Sequence, residues 1–125
     1  MAPIVWHSKK QSCLETLVFG AEFCAMTEGI KRSKGICYKL RMMGVPIDGA
    51  ANLFCDNESV VKNTTRSESP LKKKHNAVAY HKVRESVAAG AVQIAHESTE
   101  TNLSDILTKL LPGPRLRSLI AKILW

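Results

Sequence analysis

A layered α/β fold is predicted for this chain by the alternation of short β-type runs with longer segments of helical periodicity. The runs are Pro3–Trp6, Asn52–Cys55 and Ala91–Ala95, and the resulting order is β, α, β, α, α, β, α, α. Composition agrees: 45% hydrophobic and 23% charged residues in 125 positions suit one small globular domain and exclude a disordered chain. Residues 1–125 therefore read as a single unit, with no internal repeat or linker. About three strands is close to the minimum for an independently stable sheet.

Each element follows from its residues. Pro3–Trp6 (PIVW) has β-type side chains and places proline first, where a missing N–H is tolerated. From Leu14 the pattern becomes helical, with Leu14, Leu17, Val18, Ala21 and Ala25 on one apolar stripe. That helix is expected to run, with Gly29 and Gly35 as possible bends, to a cationic last turn at Lys39 and Arg41, a glycine stop at Gly44 and Pro46 beyond. Ile47–Ala51 reads as a turn, and Asn52–Cys55 (NLFC) as a buried strand too short for a helix. Asp56 and Asn57 end that strand and can cap a short helix through about Asn63. Thr64–Pro70 is polar and aperiodic, a loop. Leu71–Ala89 is helical with Gly90 as its cap, Ala91–Ala95 is a strand, and Glu97–Thr101 is a loop. Asn102–Leu111 is expected to be a helix stopped at Pro112. A last amphipathic piece, Arg115–Leu124, places Leu116, Leu119, Ile120, Ile123 and Leu124 together.

Charge is the compositional outlier. Eighteen Lys and Arg against eleven Asp and Glu give a net charge of +7, which favours a polyanionic partner. No apolar run reaches the roughly 18 residues of a membrane span, and the amino-terminal segment lacks the apolar core of a secretory peptide. An intracellular, cytoplasmic location without a membrane partner is expected. Cys13, Cys24, Cys37 and Cys55 lack zinc-site spacing and read as buried free thiols. Neither a nucleophile-elbow serine nor a glycine-rich phosphate loop is present.

Three acids stand out by position. Asp56 directly follows the NLFC run, and functional groups in open α/β sheets gather outside the carboxyl ends of strands; it could equally serve only as a helix cap. Glu22 borders the apolar stripe of its helix, where a carboxylate is costly unless it is paired, bound to a cation or turned outward into water. Asp105 falls opposite the stripe of Leu103, Ile106, Leu107 and Leu110, where a solvated first-turn acid also suits the helix dipole.

Taken in order, the segments PIVWHSKKQ, ETLVFGAEFCAM, YKLRMMGVPIDG, NLFCDNESVVKN, LKKKHNAVAYHKVRE, TNLSDILTK and LPGP resemble the carboxyl-terminal ribonuclease H domain of copia-type retrotransposon polyproteins. The resemblance runs from about Pro3 to Trp125 and implies a ribonuclease H-like fold. It places the helix acid of the family's AEF-type motif on Glu22, the acid of its CDN motif on Asp56 and the acid of its ADILTK-type motif on Asp105. The implied activity is hydrolysis of the RNA strand of an RNA/DNA hybrid with two Mg²⁺ or Mn²⁺ ions, which take hard oxygen ligands. The implied partners are the hybrid or another nucleic acid and the reverse transcriptase part of the same polyprotein. Lys72, Lys73, Lys74 and Asn57 are the expected nucleic-acid contacts, because three cations at a helix start oppose its dipole unless an anion neutralises them.

The chain departs from the family at its beginning. The family's fold opens with two further strands, the first carrying another metal-binding Asp, whereas here no acid precedes Glu15. A truncated domain is therefore expected, with weak Mg²⁺ binding, slow or absent cleavage and an exposed sheet edge prone to pairing. His96 is not secured as the family's mobile catalytic histidine by any spacing. A catalytically inactive basic nucleic-acid-binding or relic polypeptide is the alternative. An unrelated small structural protein would leave the three acids apart.

Overall fold

The computed structural model describes residues 3, 5–8, 18–65 and 77–124. Contacts divide the chain into two compact units, Gln11–His96 and a second formed by Met1–Lys10 with Glu97–Trp125. The larger unit contains α1 (Val18–Met42), β1 (Ala51–Cys55), α2 (Glu58–Thr65), α3 (Ala77–Ala88) and β2 (Val92–His96). The smaller contains α4 (Asp105–Thr108) and α5 (Gly113–Ile123). The fold is α/β, as expected, with β1 and β2 as parallel neighbours in register from Ala51 with Val92 to Cys55 with His96.

The helix α1 is continuous through Gly29 and Gly35. It ends at Gly44, whose φ of 80° is the left-handed conformation that glycine adopts without strain. Val45 N–H bonds to the Leu40 carbonyl and Gly44 N–H to that of Arg41, both at 3.0 Å, closing a Schellman cap. Gly90 ends α3 in the same way, with Ala91 N–H on Ser86 and Gly90 N–H on Val87. These two glycine stops lie where the sequence predicts them.

Phe23, Met26 and Ile30 of α1 enter the core at helical spacing. There they meet Cys55 of β1, Val60 of α2, Tyr80 and Val83 of α3, and Val92 and Ile94 of β2. The buried stripe of α1 is thus rotated from the expected one: Ala25 is exposed and Ala21 only half-buried, because aromatic and long aliphatic side chains bury more area per residue than alanine. Leu14 and Leu17 lie outside the described residues. Gly29 lies where α1 meets β1: a Cβ on it would stand 3.5 Å from Leu53 Cδ1, an ordinary contact.

Other differences have local causes. The strand expected at Pro3–Trp6 is not formed by the described residues Pro3, Val5 and Trp6, and Trp6 is 70% exposed; β propensity makes no ladder without a paired neighbour. The run Asn52–Cys55 is a strand, but only one face is covered: Leu53 and Cys55 turn toward the core while Phe54 is 62% exposed. Helix α2 continues to Thr65, past the expected end, as Thr64 and Thr65 return their hydroxyls to the Val61 carbonyl. Helix α4 has a single turn where Asn102–Leu111 is expected; Lys109 is already extended, and proline at 112 disfavours helix just before it. Leu119 anchors α5, as its periodicity predicts. Cys24, Cys37 and Cys55 form no disulfide, and Cys13 lies outside the described residues. Cys55 is buried as expected; Cys24 and Cys37 are only half-buried, because Cys24 lies off the core-facing stripe of α1 and Cys37 lies past Ile30, the last buried residue of that helix. No helix among the described residues is long and apolar enough to cross a membrane.

Gly35 lies in the interior of α1 with nothing within 4 Å of an added Cβ. Gly35→Ala should raise stability by about 0.5–1 kcal/mol, and Gly44→Ala should lower it by about 1 kcal/mol, because only Gly44 needs positive φ. Urea denaturation of both variants checks the pair of opposite signs.

Candidate functional site

The site is built at the carboxyl end of β1. Leu53 and Cys55 alternate onto the face that α1 covers, and Asp56 is the first residue beyond the strand. From Gly29 back to Glu22 the helix advances about 10 Å, and from Leu53 forward to Asp56 the strand covers about 10 Å. With Gly29 against Leu53, the antiparallel course of α1 along β1 carries Glu22 to Asp56. A carboxylate oxygen of each and the Cys55 sulfur all lie within 4.8 Å of one another.

The cap of α2 leaves Asp56 at the strand end. Asn57 supplies it, with its Oδ1 accepting from Ser59 N–H at 3.1 Å and Val60 N–H at 3.3 Å. The Asn57 oxygen named as a candidate nucleic-acid contact is thereby committed to the helix start. Glu58 in the first turn pairs with Lys62 at 2.6 Å, and that hydrogen bond holds its carboxyl below the ordinary value.

Burial pushes the Cys55 thiol above its ordinary pKa, and the neighbouring charges of Glu22 and Asp56 push it further, against the lowering effect of the Asn57 backbone. At neutral pH the centre therefore offers two hard carboxylates beside a neutral, soft thiol. Such a donor set fits an oxygen-preferring divalent cation held by Glu22 and Asp56 better than a thiolate metal. His96, the register partner of Cys55, ends β2 about 4.8 Å across the sheet from this strand end. Cys55 comes with Asp56 as its neighbour in the chain, whereas His96 is not singled out for this place by sequence spacing, because strand pairing puts it there.

Asp105 lies in the smaller unit and differs from its sequence expectation. It is 2% exposed instead of solvated. Lys109 Nζ is 2.8 Å from its Oδ1 and Arg115 Nη2 is 2.9 Å from its Oδ2. The same Nη2 donates to the Thr99 carbonyl. The helical wheel fails here because α4 is one turn long and the fold around it, not a stripe, decides which side is covered. The triplet Lys72, Lys73 and Lys74 lies outside the described residues.

The chain is 30% identical over 121 residues, 97% of its length, to the retrovirus-related Pol polyprotein from transposon RE1 of Arabidopsis thaliana. The same figures hold for the polyprotein from transposon RE2 of that plant. It is 31% identical over 109 residues to the polyprotein from transposon TNT 1-94 of Nicotiana tabacum. The chain spans 8% of the length of each of these relatives. No family model matches it, and no solved structure matches it.

Two measurements follow from the site. With Cys13, Cys24 and Cys37 replaced by Ser and EDTA present, alkylation of Cys55 should rise with pH about a midpoint above that of a free thiol. Glu22→Gln or Asp56→Asn should move the midpoint down without restoring the free value, because burial is the larger cause. In the smaller unit, Arg115→Met should cost about 2 kcal/mol by leaving a buried carboxylate half-paired, measured by thermal denaturation.

Proposed function

We propose that this chain is the ribonuclease H segment of a retrotransposon polyprotein, acting on the RNA strand of an RNA/DNA hybrid, with the reverse transcriptase part of such a polyprotein as partner. Similarity to Pol polyproteins over 97% of the chain supports the polyprotein origin. The observation that carries the activity is the convergence of Glu22 and Asp56 within 4.8 Å at the end of β1.

In this reading Glu22 and Asp56 hold Mg²⁺ or Mn²⁺. Such an ion, when bound, would supply Lewis-acid chemistry: a more acidic water and charge stabilisation at the phosphate. Glu22 is carried on a rigid helix and Asp56 at a strand terminus, so both oxygens are positioned by scaffold elements before the ion arrives. Cys55, kept as a thiol, contributes shape without competing charge. Asp105 is proposed as a further metal-binding acid only on the resemblance of its SDILTK segment.

A second reading has one specific observation in its favour. Both Asp105 oxygens are held by cations, an arrangement that suits a structural acid in a catalytically inactive, nucleic-acid-binding protein. Metal dependence separates the two readings.

The deciding experiment follows a labelled RNA strand in a hybrid under single-turnover conditions with Mg²⁺ or Mn²⁺, alongside Mn²⁺ binding by electron paramagnetic resonance. Losing even an outer-sphere partner costs 10–100-fold, so Glu22→Gln or Asp56→Asn should weaken Mn²⁺ binding and any cleavage by about 100-fold or more. Cleavage that survives Asp56→Asn, or Mn²⁺ binding indifferent to both substitutions, would remove the assignment.

A further inference from the structure

Between α1 and α3 lies a cleft of about 220 Å³ whose polar lining is dominated by ammonium groups: Lys31 and Lys34 from α1 and Lys82 from α3, with Glu85 as the one acid. Lys34 is fixed in it. Its Nζ donates to Ser86 Oγ at 3.0 Å, while that hydroxyl, only 5% exposed, spends its own proton on the Lys82 carbonyl at 2.9 Å. Ser86 thus acts as an acceptor that orients an ammonium, leaving that ammonium two further donors. Among the described residues neither Lys34 nor Lys82 is in an ion pair, whereas Glu28 faces Arg32 at 3.1 Å and Lys31 at 4.0 Å.

Helix electrostatics do not account for these cations. The dipole explains Lys39 and Arg41 in the last turn, but Lys31 and Lys34 are in the middle of α1, where it has no reach. Lys31, Lys34, Tyr38 and Arg41 recur at spacings of three and four, so they share one face of α1 over about 15 Å. Tyr38 is 66% exposed among them. A row of cations interrupted by an open aromatic ring matches a sugar–phosphate chain with a base stacked beside it. Against a free phosphate, the cleft's charge is too spread and is diluted by Glu85; against an acidic protein, the exposed ring adds nothing that a carboxylate needs.

We propose that this cleft and the face of α1 leading from it bind the phosphodiester backbone of a nucleic-acid strand, with Lys31, Lys34 and Lys82 on phosphates and Tyr38 stacked on a base. The surface is separate from the carboxylate pair, since Lys34 is about 18 Å along α1 from Glu22. It requires neither metal nor hydrolysis, so it goes beyond the reading above and can fail or hold independently of it.

The test is fluorescence anisotropy of the full chain with a labelled 20-nucleotide RNA, its DNA counterpart and the hybrid, in EDTA, across a salt series. Lys31→Gln, Lys34→Gln and Lys82→Gln combined should weaken binding about tenfold or more and reduce the slope of log K against log salt by about 2. Tyr38→Ala should weaken binding about fivefold with the slope unchanged. Circular dichroism should confirm that each variant is folded. Unchanged affinity in the triple variant would overturn the proposal. So would an equal loss in the charge-matched control Lys62→Gln, Arg117→Gln and Lys122→Gln, which would reduce the effect to net charge. Competition by inorganic phosphate well beyond that of chloride at equal ionic strength would overturn it in favour of a small-anion site.

Discussion

The seating of α1 on β1 is the constraint on which the larger unit depends. Gly29 lies against Leu53, where an added Cβ would make ordinary contact at 3.5 Å, and the pitch of a helix against the rise of a strand then determines the other meetings along the two elements. Phe23, Met26 and Ile30 fall into the core, Glu22 arrives at the carboxyl end of the strand, and Lys31 and Lys34 are carried the other way, onto α3. One contact thereby separates an acidic end of the helix from a basic one.

At the end of the strand Glu22 and Asp56 bring one carboxyl oxygen each within 4.8 Å of the other and of the Cys55 sulfur, so their charges act on a common centre. Cys55 registers the same field, since both carboxylates raise its thiol pKa on top of the effect of burial. The packing of Tyr80 against Phe23, with ring centroids 5.6 Å apart, and the burial of Val60 and Val83 supply the apolar stabilisation around it.

Asp105 shows how a similar acid can be arranged otherwise. Its two oxygens meet Lys109 and Arg115, partners supplied by the same short segment of chain, and it is nearly inaccessible. Asp105 meets two cations where it stands, whereas Glu22 and Asp56 meet each other beside Cys55. The three acids look alike in the sequence as isolated carboxylates next to apolar runs, and their surroundings distinguish them.

Much of the local structure is legible in the residues alone. Gly44 and Gly90 end their helices where a left-handed residue is required, Gly49 turns the chain at positive φ, and the β1, β2 and α5 segments follow their patterns because these features depend on neighbours a few positions away. The first apolar run forms no strand among the described residues, and α4 is one turn instead of nearly three, because both depend on what lies beside them in space. Glu22 and Asp56 could be chosen as candidates from their places beside a helix stripe and after a strand. Their convergence and the orienting of Lys34 by Ser86 could not. Periodicity reports which face of an element is apolar; only packing between elements separated by tens of residues decides which charged atoms meet, since that is set by the depth at which one surface seats in another.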